Sequence, residues 1–182
     1  MTSPGFADGL EPRHYTLVAD RSAIVIEVRT SLGPVTFGAT GLEGFVAAAV
    51  QDGVVVVDPI PAAHVELPIR DLTSGNSAYD GELHRHLDAR RFPSAYVDLH
   101  HVRREEVGTS SYLVGGEVTF RGIAQFVEGV VTVEFTEAGA LVVRGEKVID
   151  IRLFEIPPPT LFMIKIEPDV TLSLQLEARL TP

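Results

Sequence analysis

The residues from Val170 to Leu180 alternate strictly between apolar and polar side chains. Valine, alanine and four leucines occupy every second position, and threonine, serine, glutamine, glutamate and arginine lie between them. Successive side chains of a β-strand point to opposite faces, so this segment as a strand has one apolar and one polar face. As an α-helix it would spread its leucines around the whole circumference. The segment therefore predicts a strand with one buried face.

The same alternation recurs, less strictly, in Ile24–Val28, Val97–Leu99, Val127–Phe135 and Ile149–Leu153. The continuous run Val54–Val57 suits a strand buried on both faces or one partner of a hairpin. Turn-forming residues separate these segments, a pattern typical of antiparallel sheets. We count roughly eight strands, and eight antiparallel strands can close a barrel around core side chains or one ligand. The sequence therefore predicts an all-β fold, an antiparallel eight-stranded barrel.

One segment, Ser77–Arg91, breaks the alternation. It lacks β-branched residues and is rich in helix formers. Leu83 and Leu87 lie four residues apart and so share a helix face, and Asn76 or Ser77 can cap the start. We expect one short helix inserted between strands, placed so that it could cover one end of a barrel.

The chain has 182 residues, which fits a single domain. Residues 1–13 show no periodicity and are expected to form a flexible tail, with the barrel domain over residues 14–182. No apolar run approaches the roughly 20 residues that a membrane-spanning helix needs. The N-terminus also lacks the basic and apolar regions of a signal peptide, so we expect a cytoplasmic location without integral membrane association.

Acidic residues outnumber basic ones, 25 to 15, which gives a formal net charge of −10. A field of that sign repels phosphate backbones and anionic lipid surfaces. Nucleic acid is therefore not an expected partner.

The six histidines raise the question of a metal site. His84 and His86 would point in different directions on a helix, and the adjacent His100 and His101 would face opposite sides of a strand. A zinc site built from one member of each pair and a helix carboxylate is the alternative. Surface or hydrogen-bonded histidines are the favoured interpretation, so we expect no metal and no other cofactor.

Sequence signatures of catalysis are absent. The chain has no cysteine, no Gly-x-Ser-x-Gly turn, no phosphate-binding lysine motif and no dinucleotide-binding glycine pattern. Lys147 and Lys165 are its two lysines. We therefore expect no catalytic residues and a protein that is not an enzyme, with a metal-dependent or stress-related enzyme as the remaining alternative.

Five motifs occur in order along the chain: Tyr15–Ile24, Glu66–Asn76, Leu87–Pro93, Gly116–Gly122 and Phe154–Leu161. Together they resemble the YceI-like family, the lipocalin-like polyisoprenoid-binding proteins, over about residues 15–180. The chain departs from the family pattern at Arg21, where a histidine is frequent. It also departs at Tyr79–Leu83, where Arg-Asp-Glu-His-Leu is usual.

The resemblance implies a lipocalin-like barrel that is a non-catalytic binding or carrier protein. Its ligand would be a polyisoprenoid or an isoprenoid-quinone-like lipid, held by apolar contact at about 25 cal/mol per Å² removed from water. From the alternation, the residues expected to line the lumen are Ile24, Ile26, Val97, Leu99, Val131, Val133, Leu172, Leu174 and Leu176.

The alternative is a barrel with a filled core that acts as a structural or protein-interaction module. Such a module could form a homodimer. Its best candidate surface is Pro157–Met163, where three large apolar residues follow the prolines.

Overall fold

The computed structural model describes residues 10–156, 160–161 and 164–182. Its strands, in chain order, are β1 Arg13–Leu17, β2 Ala23–Thr30, β3 Gly33–Thr40, β4 Glu43–Ala48, β5 Val50–Gln51, β6 Val54–Val55, β7 Ala62–Pro68, β8 Ser94–Arg104, β9 Ser111–Phe120, β10 Ile123–Phe135, β11 Leu141–Asp150, β12 Thr160–Leu161 and β13 Ile164–Leu180. The α-helix among these residues is α1, Ser77–His86, and short 3₁₀ turns cover Ala19–Arg21, Ile69–Asp71 and Ile151–Phe154. Residues 1–9 of the expected tail, and most of Pro157–Met163, lie outside the described residues.

Eight antiparallel strands close the barrel in the order β1-β4-β7-β8-β9-β10-β11-β13, and β13 pairs back with β1. The alternating C-terminal segment belongs to β13, the longest strand of this barrel, and its apolar face points to the barrel interior. The predicted eight-stranded barrel with a single short helix is confirmed for the described part of the chain.

The strand β13 changes partner along its length. Its C-terminal end pairs with β1 through Leu17–Ala178, whereas Ile166–Gln175 pairs with β2. The hairpin β2–β3 therefore widens the wall over one half of the barrel. We call this half, which also carries α1, the lower half, and we call the opposite half the upper half.

The upper half has a filled core. Tyr15, Tyr112, Leu141 and Ala178 are each at most 3% exposed. The small hairpin β5–β6 covers this end, where the Tyr112 hydroxyl donates to the carbonyl of Val55 at 3.2 Å. Of the two interpretations of the Val54–Val57 run, the hairpin partner is the correct one, although the strand stops at Val55.

The helix α1 is shorter than predicted. The Asn76 side chain caps it by accepting from the backbone N–H groups of Ala78 and Tyr79. It ends at His86 rather than Arg91, because the chain turns at Leu87 and Asp88 has a positive φ of 50°. None of the helices in the described part of the chain has the length and apolarity needed to cross a bilayer.

The prediction of a strand through Ile149–Leu153 is wrong beyond Asp150. The Asp150 side chain accepts from the backbone N–H of Arg152 and pairs with its guanidinium, which starts a 3₁₀ turn instead. As a result Ile149 is buried, whereas Leu153 is 49% exposed.

The Asp80 carboxylate ties α1 to the loop before it. It accepts from the Ser74 hydroxyl at 2.7 Å and from the Ser74 backbone N–H at 2.6 Å. The hydrogen bond from the Ser74 hydroxyl is the main reason that the pKa of Asp80 lies below its ordinary 3.8. A carboxyl whose pKa is lower in the folded state stabilises that state above its unfolded pKa, and this stabilisation is lost as the pH falls through the folded pKa.

Asp80→Asn should therefore lower the urea midpoint at neutral pH, and the deficit should shrink as the pH falls below about 3.8. Urea unfolding at several pH values measures this. Glu137→Gln, at an exposed turn residue, is the control and should leave the midpoint unchanged. A deficit for Asp80→Asn that is constant over the whole pH range would contradict the assignment.

Candidate ligand-binding cavity

The lower half of the barrel encloses a cavity of about 400 Å³. The strands β2, β3, β7 to β11 and β13 supply its walls, and α1 covers it with Tyr79, Leu83 and Leu87. Nearly every side chain that faces it is aliphatic or aromatic. The volume lies within the range of small-molecule sites, roughly 300–1,000 Å³.

Seven of the nine residues expected to line a lumen lie on the wall of this cavity: Ile24, Ile26, Val97, Leu99, Val131, Leu172 and Leu174. The other two, Val133 and Leu176, do not line it. They flank Val143 through the pairs Val133–Val143 and Val143–Leu176, in the lowest layer of the filled upper half. Leu176 is accordingly only 5% exposed.

The transition from filled to hollow core falls between two neighbouring layers. Above it lie Val133, Val143 and Leu176; below it lie Val131, Gly145 and Leu174. Gly145 contributes no side chain, and a Cβ there would approach Val131 Cγ1 to 2.9 Å. The next inward residue of β11 is Lys147, paired with Leu172. Between Val143 and Ile149, β11 therefore contributes no aliphatic side chain to the barrel core.

Several inward-facing side chains of the lower half remain partly accessible, although others on the same wall, such as Leu67 and Ile149, are buried. Val97 faces the cavity and is 42% exposed, and Leu99, Leu172 and Leu174 are intermediate. Apolar residues that point into a solid core would be fully buried. The 42% exposure of the inward-facing Val97 agrees with the empty space that the cavity shows inside the barrel.

Some cavity residues were not predicted from the sequence. Val35 and Phe37 of β3, and Val114 and Val118 of β9, also line it. A local signal existed for Val118 and Phe120, which alternate with Glu117 and Thr119. No local signal indicated that β3 belongs to this wall. It joins the wall through β2, and β2 pairs with β13 near the other end of the chain.

Charged groups at the cavity are few and lie at its margins. Glu82 of α1 is paired with Arg85, whose hydrogen bond is the main reason that the pKa of Glu82 lies below its ordinary value. Glu128 is 3.2 Å from His101, and the Glu146 carboxylate accepts from the Ser173 hydroxyl at 3.1 Å.

The barrel wall is open on one side, between β10 and β11. These strands pair only from Val131–Gly145 to Phe135–Leu141. Past this ladder the two strands separate. The segment Ile123–Val130 of β10 pairs only with β9, and the segment Glu146–Asp150 of β11 pairs only with β13. We call this gap the β10–β11 slot. Its far end is closed where the Gln125 amide donates to the carbonyl of Leu153 at 2.9 Å.

The cavity extends into the β10–β11 slot. Glu128, Val130 and Glu146 face outward, since they alternate with the inward Gly129, Val131, Gly145 and Lys147, yet they also line the cavity. Outward residues border an interior space only where the wall is interrupted. The slot is therefore a lateral opening of the cavity, about 16 Å long for five residues of β11.

The histidines do not come together. His64 Nδ1 lies 2.7 Å from Asp98 Oδ1, and the His84 ring bonds the carbonyl of Leu72 at 2.9 Å. Within the described residues, no three metal-ligating side chains form a group.

A family model described as YceI-like domain matches residues 15–178. The chain belongs to the YceI-like family. No curated protein sequence matches this YceI-like chain.

Solved structures support the same fold. BcnA of Burkholderia cenocepacia superposes with a TM-score of 0.75 at 16% identity, over 88% of this chain and 98% of BcnA. A polyisoprenoid binding domain from Saccharophagus degradans, implicated in plant cell wall breakdown, superposes with a TM-score of 0.72 at 12% identity, over 92% of this chain and 98% of that domain. A Campylobacter jejuni YceI protein gives a TM-score of 0.55 at 15% identity, over 66% and 73% of the two chains. At these identities the similarity establishes the fold alone.

Proposed function

We propose that this YceI-like protein binds a long apolar chain, such as that of a polyisoprenoid or an isoprenoid quinone, inside the lower half of its barrel. The observation that carries the proposal is the cavity of about 400 Å³ with an almost wholly apolar wall. Filling it would remove apolar surface from water on both the ligand and the protein, at about 25 cal/mol per Å². A chain held in this way needs no specific hydrogen bond along its length.

The seven cavity-facing residues predicted from the sequence are the proposed ligand contacts. Leu172 and Leu174 form one wall with Ile26 and Ile24, their pairing partners on β2. Val97 and Leu99 contribute from β8. Val133 and Leu176 are proposed to close the inner end of the site rather than to touch the ligand along its length.

The ligand class is supported by one structural neighbour. The Saccharophagus degradans protein is a polyisoprenoid binding domain and shares this fold over most of both chains. Family membership and an apolar cavity both favour binding over catalysis, and we propose a non-catalytic carrier. A cytoplasmic location and a homodimer remain predictions, and the surface suggested for the dimer falls largely outside the described residues.

Prenyl alcohols of increasing length should compete with a fluorescent polyprenyl probe for the purified protein. Each buried methylene contributes about 0.8 kcal/mol, so the dissociation constant should fall steeply with length. It should then level off when the cavity is full. Absence of binding, or an affinity independent of length, would contradict the proposal.

A filled-core interaction module is the competing function. It is disfavoured by the partial accessibility of inward side chains such as Val97, which a solid core would bury. If no prenyl alcohol binds and the protein is a stable dimer by ultracentrifugation, the interaction module becomes the better account.

A further inference from the structure

The outer rim of the β10–β11 slot carries three apolar side chains beside the acidic Glu128 and Glu146. Phe126 and Val130 on β10, and Val148 on β11, are 56%, 46% and 56% exposed. These three side chains flank a gap that continues into an apolar cavity. An apolar chain that crosses the rim beside these three side chains would keep apolar contact on its way from the surface to the cavity.

A single lysine stands at the inner lip of the slot. Lys147 lies on the inward face of β11, between Gly145 and Ile149, and is paired with the cavity residue Leu172. Across the slot, a Cβ on Gly129 would lie 3.9 Å from Lys147 Cδ, so the aliphatic stem of Lys147 packs over this glycine.

Lys147 is the one lysine or arginine on the cavity wall among the described residues. It makes no hydrogen bond or ion pair with any other residue that the structure describes. Glu128 accepts from the His101 ring and Glu146 accepts from the Ser173 hydroxyl; both carboxylates lie on the outer face, and neither forms an ion pair with Lys147. The ammonium group is therefore available to an anionic oxygen that arrives at the slot.

We propose that the ligand enters sideways through the β10–β11 slot, with its tail in the cavity and an anionic head group held at the slot by the Lys147 ammonium. This inference rests on the proposed lipid-binding function and specifies its ligand as a long-chain amphiphile with a carboxylate or a phosphate head. A charge-assisted hydrogen bond of this kind is stronger than a neutral one.

The route is tested with single cysteines, which are unique thiols because the chain has none. Val130→Cys at the slot, Leu32→Cys at the β2–β3 turn of the lower half and Val107→Cys at the upper end are each coupled to the same bulky maleimide. The association rate of a fluorescent polyprenyl probe is then measured by stopped flow. The label at the slot should slow association by about an order of magnitude relative to unlabelled Val130→Cys, and the other two labels should not. Slowing by the label at position 32 but not at position 130 would overturn the lateral route in favour of entry through the end of the barrel.

The head group is tested with pairs of probes that share a tail: a prenyl phosphate against its alcohol, and a fatty acid against its methyl ester. Lys147→Met keeps the aliphatic stem and removes the charge. In the probe pair that carries the correct head group, Lys147→Met should weaken binding of the charged probe by about tenfold and leave binding of the neutral probe unchanged. The pair that shows this difference identifies phosphate or carboxylate as the head group.

Lys165→Met removes the other lysine, which is exposed and outside the cavity wall, and should change neither pair. Equal affinities of the parent and Lys147→Met for both charged probes would overturn the head-group assignment. Failure of the parent to bind any probe would instead refute the proposed function itself, so the two failures are distinguishable.

Discussion

Leu141→Ala should lower the free energy of unfolding by about 4 kcal/mol, whereas Leu174→Ala should lower it by only about 1 kcal/mol. Leu141 is 1% exposed in the filled upper half, and its removal leaves a cavity among well-packed neighbours. Leu174 already borders empty space, so its truncation loses some apolar contact but creates no new void in a packed region. Urea unfolding of the two variants at neutral pH measures the difference. Equal losses would mean that the lower half is packed as tightly as the upper half.

Leu174→Phe should abolish binding of a long prenyl chain while the melting temperature of the empty protein changes little. Leu174 is paired with Gly145 on one side, which has no side chain, so a larger ring can rotate into the cavity. The ring would then occupy the space through which the ligand passes. Several methylenes at about 0.8 kcal/mol each lose their burial, so the affinity should fall by more than about two orders of magnitude, below detection.

Leu176→Phe is the matched control for this prediction. It is the same substitution two residues further along the same face of β13, but Leu176 is 5% exposed in the filled half. Overpacking there should cost about 1–3 kcal/mol. If Leu174→Phe destabilised the protein as much as Leu176→Phe, the core around Leu174 would be solid.

Alternation of side chains predicts which face of a strand is buried, but it carries no information on depth along the barrel. This is why Leu174 and Leu176 were predicted as equivalent, although one borders the cavity and the other belongs to the packed layer above it. The difference arises from the β2–β3 hairpin, which widens the wall beside Leu174. That pairing is between distant segments and leaves no local pattern.

The β10–β11 slot is beyond sequence prediction for a similar reason. Both strands have the alternation of ordinary barrel strands, and their ladder stops at Val131–Gly145 without any break in either strand. In retrospect, a glycine followed two residues later by a lysine on the apolar face of β11 is the one local irregularity. The strand predicted over Ile149–Leu153 fails beyond Asp150 because the Asp150 side chain starts a 3₁₀ turn with a local hydrogen bond that competes with the sheet.

Native mass spectrometry of the lipid-stripped protein, mixed with a long prenyl alcohol, tests the central claim most directly. A cavity of about 400 Å³ in one barrel should give a complex with one chain per protein molecule, and Leu174→Phe should give none. A parent protein that stays free of ligand under these conditions, with Leu174→Phe as destabilising as Leu176→Phe, would contradict the claim that this barrel is hollow and holds a lipid.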